Sequence, residues 1–113
     1  MIDPDLPQLP PLGPKASNAY QRFARDLRAF TQALGQARPA GPVHGETLLA
    51  LNGLILMANR LFRRHPEIPR FFPVGIGQPM ALVDLGIVIA RLNAAAARFE
   101  EIHPHLRPGA RRF

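Results

Sequence analysis

The sequence predicts an all-α fold: a small three-helix bundle with a proline-rich extended N-terminal arm, a long apolar connection between helices 2 and 3, and an irregular basic C-terminal tail. First, 113 residues suffice for one hydrophobic core and not for two. Second, 47% of the residues are hydrophobic, enough to offset the entropy lost on ordering the chain. Third, three segments with helical apolar spacing are separated by proline- and glycine-rich breaks.

Residues 1–16 form the predicted arm. Its prolines recur at nearly every third position, which is the period of a polyproline II helix, and they are Pro4, Pro7, Pro10, Pro11 and Pro14. Leu6, Leu9 and Leu12 share this period, so we expect one apolar edge that lies on a groove of its own fold or of a neighbour. Asp3 and Asp5 stand where a signal peptide would be basic and apolar, so the sequence predicts a cytoplasmic protein.

The first helix is predicted from Ser17 to Leu34, with Ser17 or Asn18 as the N-cap and Gly35 as the stop. Its apolar residues follow spacings of three and four and make one narrow stripe for packing against other helices. They are Tyr20, Phe23, Leu27, Phe30 and Leu34. This helix opens the single helical domain, which we place at residues 17–103.

The second helix is predicted from Glu46 to Arg64, because Pro66 pushes the preceding residue out of the α region. Within residues 48–58 nine of eleven residues are apolar, the exceptions being Asn52 and Gly53. No whole face remains for water, so the helix is either central or part of an interface. Eleven residues are too few to cross a bilayer, which needs about 20.

The connection at residues 66–79 is longer than most links between packed helices and unusually apolar. Its large apolar residues cannot all face solvent without creating a sizeable patch, and they are Ile68, Phe71, Phe72, Val74 and Ile76. The connection therefore either covers its own core or serves as a binding surface. We expect it to pack back at least in part.

The third helix is predicted to begin at Pro79 or Met80 and to end before His103, and residues 104–113 form the basic tail. One stripe should face the core: Leu85, Ile89, Leu92, Ala96 and Phe99. A second stripe of small residues would let another helix approach closely, and it consists of Gly86, Ala90, Ala94 and Ala97. Asp84 interrupts the apolar run, and its burial would require a partner such as Arg60, Arg91 or an asparagine.

The residue types argue against an enzyme and predict no cofactor. The absence of cysteine excludes disulfides, thiolate catalysis and sulfur-ligated metal sites. His103 and His105 are separated by Pro104 across a helix end, which suits a zinc site poorly, so no metal site is predicted. We expect His65 and His103 to bond the last carbonyl groups of their helices, because each precedes a proline at a helix C-terminus.

The formal net charge is +6, and 13 of the 14 basic residues are arginine. They form three predicted basic patches: Arg22, Arg25 and Arg28; Arg60, Arg63 and Arg64; Arg111 and Arg112. Such patches suit an acidic protein, nucleic acid or solvent. The connections are too long and too rich in proline for a helix-turn-helix domain, so nucleic-acid binding is the alternative rather than the main hypothesis.

The decisive feature is apolar surface, because the second and third helices carry more of it than a lone three-helix domain can cover. Leu49, Leu56 and Val88 are predicted partner contacts, since they lie among polar residues on the otherwise polar sides of these helices. The connection adds Phe71, Phe72, Val74 and Ile76. We therefore predict a small interaction subunit or adaptor, acting as a homo-oligomer or within a larger assembly; the alternative is a basic nucleic-acid-binding regulator.

Overall fold

The computed structural model describes residues 12–106 and confirms the all-helical, three-helix class. Helix α1 spans Pro14–Ala37, α2 spans Glu46–Phe62 and α3 spans Leu82–Ile102. A short 3₁₀ helix, Pro104–Leu106, follows α3. Most of the predicted arm (residues 1–11) and the end of the tail, with Arg111 and Arg112, lie outside the described residues.

Helix α1 is longer at both ends than the sequence predicted. It begins at Pro14, because proline fits the first turn, where its missing N–H has no partner to lose. The predicted cap Ser17 is therefore inside the helix, and its N–H donates to the Gly13 carbonyl at 2.9 Å. The helix also continues past Gly35, and Arg38 takes the left-handed conformation, with φ of 45°, while its N–H caps the Leu34 carbonyl. The assignments of Ser17 or Asn18 as the N-cap and of Gly35 as the stop were wrong.

Helices α2 and α3 differ from prediction by a few residues. Helix α2 begins at Glu46 as predicted and ends at Phe62, two residues before Arg64. Helix α3 starts at Leu82 rather than at Pro79 or Met80, because Met80 forms an antiparallel β-bridge with Val43. The two N–H···O bonds of this bridge measure 2.9 and 2.7 Å and hold the beginnings of α2 and α3 together.

An aromatic cluster fixes the direction of the helices. The rings of Tyr20 and Phe62 each lie 5.0 Å from that of Phe99, and Phe23 meets Phe62 edge to face at 5.8 Å. Since these residues come from the first half of α1 and the final turns of α2 and α3, those three parts meet at one end of the bundle. The Val43–Met80 bridge closes the other end. Helices α2 and α3 are therefore parallel, and α1 is antiparallel to both.

Parallel neighbours require the chain to return along the bundle before α3 begins. Two asparagines of α2 guide this return segment, residues 66–79. The amide of Asn59 accepts from the Phe71 N–H at 2.9 Å and donates to the Phe71 carbonyl at 2.8 Å. The amide of Asn52 likewise accepts from the Val74 N–H at 2.8 Å and donates to the Val74 carbonyl at 2.9 Å. Each amide thus satisfies the backbone N–H and C=O groups of one extended residue, which would otherwise need a neighbouring strand as a hydrogen-bond partner.

The distance between the two contacts is the same along α2 and along the return segment. Asn52 and Asn59 are seven residues apart, which is about 10.5 Å along a helix axis. Phe71 and Val74 are three residues apart, which is about 10 Å in an extended chain. Ile68 and Phe71 are buried as a result, and Val74 is half-buried. The structure confirms that the apolar connection packs back in part.

The two core stripes predicted for α1 and α3 are confirmed. Tyr20, Phe23 and Leu27 are buried on α1, whereas Phe30 and Leu34 near its end are half-buried. On α3 the buried members of the stripe are Leu85, Leu92, Ala96 and Phe99, and Ile89 is half-buried. The periodicity of 3.6 residues identified the inward faces of both helices.

Candidate protein-docking surface

The side of α2 that faces away from the core carries two exposed leucines. Leu49 and Leu56 are seven residues apart and therefore lie on one line along the helix, with exposed Gly53 between them. Their side chains are 55% and 53% exposed. Full burial of an exposed leucine contributes about 1.5 to 3 kcal/mol, so covering this line would add apolar stabilisation that residues 12–106 do not supply.

An open groove of about 650 Å³ lies between α2 and the return segment, beside Leu56. Buried apolar side chains form its floor, and they are Ile55, Phe62 and Ile68. Pro69 and Pro73 line the side contributed by the return segment. A ligand in the groove would meet an apolar floor that is continuous with the exposed Leu56 side chain.

Three arginines line the same groove: Arg60 and Arg63 from the end of α2, and Arg70 from the return segment. All three are exposed. Within residues 12–106 the ion pair is Arg98–Glu101, so these three guanidinium groups have no carboxylate partner in that part of the chain. Their charge favours an anionic group at the groove, and guanidinium forks bind carboxylates with two parallel hydrogen bonds.

The structure separates the seven predicted partner contacts into surface and interior. Leu49, Leu56, Phe72 and Ile76 are exposed, with Phe72 at 79%. Val74 and Val88 are half-buried against the core. Phe71 is turned inward, because Asn59 holds its backbone against α2, and the Arg91 guanidinium lies 5.2 Å from the centre of its ring. The folded chain therefore does not offer Phe71 as a surface contact.

The predicted basic patches lie on different faces. Arg22 and Arg25 are exposed on α1, whereas Arg28 lines a hollow between α1 and α3 that also contains Glu100. Arg60 and Arg63 line the groove, and Arg64 is exposed just after α2. The described residues thus place one concentrated group of arginines beside an apolar surface, and that group includes Arg70, which the sequence patterns did not single out.

Tyr20 anchors α1 to α3 through its hydroxyl group, which donates to the carboxylate of Glu100. The Ala96 carbonyl oxygen is also within reach, at 3.2 Å. Burial raises the pKa of Tyr20 above its ordinary value, and the hydrogen bond to Glu100 raises it further. This side chain is neutral and structural at neutral pH.

His65 and His103 contact each other instead of capping the helix carbonyl groups, so the predicted role of their imidazoles was wrong. Their Nε2 atoms are 3.1 Å apart, and the backbone N–H groups provide the caps. His65 Nδ1 is buried with no partner among the described residues. We assign the shared proton to His65 Nε2, because the other tautomer would bury an unpaired N–H. Burial lowers the pKa of His103, and His65 and His105 lower it further.

The remaining candidates are absent from this surface. Asp84 is exposed in the first turn of α3, where the helix dipole stabilises a carboxylate, so it needs no buried partner. Residues 12–106 contain no group of three histidine or acidic side chains that could hold a metal ion. In the same part of the chain, no helix has the length and apolar content needed to cross a membrane.

No protein-family model matches the chain, and no curated protein and no solved structure matches it.

Proposed function

We propose that this protein is an association subunit whose α2 surface docks an acidic, apolar-bearing segment of another protein. The docking surface consists of Leu49, Leu56, Arg60, Arg63 and Arg70. One observation carries the proposal: an exposed leucine line adjoins a groove that has an apolar floor and an arginine rim.

The energetics require both parts of this surface. Leu49 and Leu56 are already about half buried, so covering the rest of both side chains contributes only about 1.5 to 3 kcal/mol, whereas association alone costs about 4 to 15 kcal/mol in lost freedom of motion. The leucines are therefore insufficient, and the groove must add contacts. An acidic partner supplies them, because its carboxylates pair with the rim arginines while its apolar side chains cover the floor.

The arrangement favours protein over nucleic acid as the partner. Binding to phosphates needs cationic groups along one surface and gains little from exposed aliphatic side chains. Here the arginines of α1 and α2 lie on different faces, and the concentrated group adjoins Leu56. The proposal assigns the protein no chemical reaction, and its cytoplasmic location stays a prediction.

The test uses a fluorescent amphipathic peptide with leucines at helical spacing and glutamates elsewhere, titrated against the full chain. A peptide with lysine in place of glutamate and a DNA duplex serve as comparison probes. We expect the acidic peptide to bind and the lysine peptide to fail. Leu56→Glu should weaken binding by about tenfold or more, equivalent to about 1.4 kcal/mol.

Ala50→Glu is the matched control, because Ala50 is exposed on the same helix and lies outside the docking surface. It should leave the affinity for the peptide unchanged. Equal effects of Leu56→Glu and Ala50→Glu would contradict the proposal. Binding of the duplex alone, with affinity falling steeply as salt rises, would support the nucleic-acid alternative instead.

A further inference from the structure

A second apolar surface that residues 12–106 leave exposed lies on α3, on the side opposite the core. Val83 and Ile87 are 70% and 55% exposed there. The next members of the same line, at spacings of three and four, are alanines that are also exposed: Ala90, Ala94 and Ala97. We call these five residues the outer line of α3. It is independent of the docking surface on α2.

The outer line is asymmetric in size, because its large residues occupy the beginning of α3 and its small residues occupy the end. We propose that it pairs with the outer line of a second copy of this chain, with the two α3 helices antiparallel. In the register that sets Ile87 opposite the second copy's Ala97, Ala90 lies opposite the second copy's Ala94. Ile87 then meets a small side chain at each end of the contact, and the small Ala90 and Ala94 side chains meet at its centre, where the two helices can pack closely.

The charges beside the outer line fit this register. The residues that flank it on one side are Asp84, Arg91 and Arg98. In the antiparallel pair Asp84 lies across from the second copy's Arg98, and two-fold symmetry makes this contact twice. A parallel pair would instead separate Asp84 from the second copy's Arg98 by about 21 Å along the axis, and it would place large residues on large and small on small.

The other flanking positions introduce little repulsion. Arg91 would face its own symmetry mate, but its guanidinium lies against the Phe71 ring. On the opposite side, Gly86 lies across from Glu100, and Asn93 faces its own mate. In the same register Val83 lies opposite the second copy's Glu101. Glu101 is paired with Arg98 at 2.9 Å, and its carboxylate would lie beside the first turn of the second copy's α3, where the helix dipole favours a negative charge.

The small side chains allow the two helix axes to approach to about 8 Å. A contact between one pair of helices is smaller than the roughly 1,000 Å² of a stable interface. We therefore expect a weak, reversible dimer whose population depends on protein concentration. Failure of this dimer would leave the proposal for α2 untouched, since the two surfaces are tested by different variants.

Sedimentation velocity over a series of concentrations tests the pairing. Asp84→Arg and Arg98→Asp should each raise the dimer dissociation constant by about tenfold or more, and the double variant should restore it to within about threefold. Arg64→Asp is the matched control, because Arg64 is exposed outside α3. Circular dichroism confirms that each variant is folded. A chain that is monomeric at every concentration, or a dimer insensitive to both charge reversals, would overturn the proposal.

Engineered cysteines test the register, since the chain contains no cysteine of its own. Chains carrying Ala90→Cys are mixed with chains carrying Ala94→Cys under mild oxidation. We expect the mixed disulfide to form faster than when either of these chains is mixed with chains carrying Ala50→Cys, a site that is exposed on α2. Equal rates for all pairings would overturn the antiparallel register.

Discussion

The attachment of the return segment to α2 gives the most specific prediction. Replacement of Asn59 by alanine removes both hydrogen bonds to Phe71, which measure 2.8 and 2.9 Å. Each such bond contributes about 0.5 to 1.5 kcal/mol net, so the bonds alone account for about 1 to 3 kcal/mol. Phe71 is buried, so any loosening of the segment adds lost apolar burial. We therefore expect Asn59→Ala to lower the free energy of unfolding by about 2 to 3 kcal/mol.

Two further asparagines calibrate this effect. Asn52→Ala removes the equivalent pair of bonds, but Val74 is only half-buried, so its cost should be smaller, at about 1 to 2 kcal/mol. Asn93 is exposed and donates within its own helix to the Ile89 carbonyl. Asn93→Ala should therefore change stability by less than about 0.5 kcal/mol.

Urea unfolding followed by circular dichroism measures these differences, and amide hydrogen exchange measures them locally. The Phe71 and Val74 amides should be protected in the unmodified chain. The Phe71 amide should lose most of its protection in Asn59→Ala, before the helices do. A cost for Asn59→Ala equal to that for Asn93→Ala, or an unprotected Phe71 amide in the unmodified chain, would refute the role given to the asparagines.

Three other predictions concern stability. Tyr20→Phe should lower the free energy of unfolding by about 1 to 2 kcal/mol at neutral pH, because the hydrogen bond to Glu100 is lost. Since the pKa of Tyr20 is raised on folding, the unmodified chain should also lose stability above about pH 10, and the variant should lack this dependence. The pKa of His103 is lowered on folding, so below about pH 6.5 the unfolded chain binds more protons than the folded chain. The free energy of unfolding should therefore fall on acidification, by at most about 1.4 kcal/mol per pH unit, and the slope should be shallower in His103→Gln. Arg38→Gly should raise the melting temperature, through a gain of up to about 1 kcal/mol, because glycine adopts the left-handed conformation without strain. Thermal or urea unfolding across pH measures all three.

Local periodicity was sufficient to predict which helix faces form the core, as Tyr20 and Leu92 illustrate. The helix ends depended on contacts that no local pattern contains. Met80 is withheld from α3 by its bridge to Val43, which lies 37 positions earlier in the chain. Arg38 takes a left-handed cap although the neighbouring sequence offers Gly35 for that role.

Local sequence patterns predicted the exposed leucines of the candidate site but not its groove. Leu49 and Leu56 stood out because Asn52 and Asn59 made that side of α2 look polar. The asparagines in fact bind the backbone of the return segment. The groove and its Arg70 depend on the parallel arrangement of α2 and α3, which follows from the whole fold and not from the residues near position 70.

Docking of another protein on the α2 surface is tested by placing a photo-crosslinking amino acid at position 56 of the full chain in its native cells, with position 50 as the matched site on the same helix. We expect a covalent adduct with another protein from position 56 and none from position 50. We also expect Arg63→Glu to reduce the yield of that adduct, because Arg63 lines the same groove. Equal yields from positions 56 and 50, or an adduct with nucleic acid, would show that the α2 surface does not dock another protein.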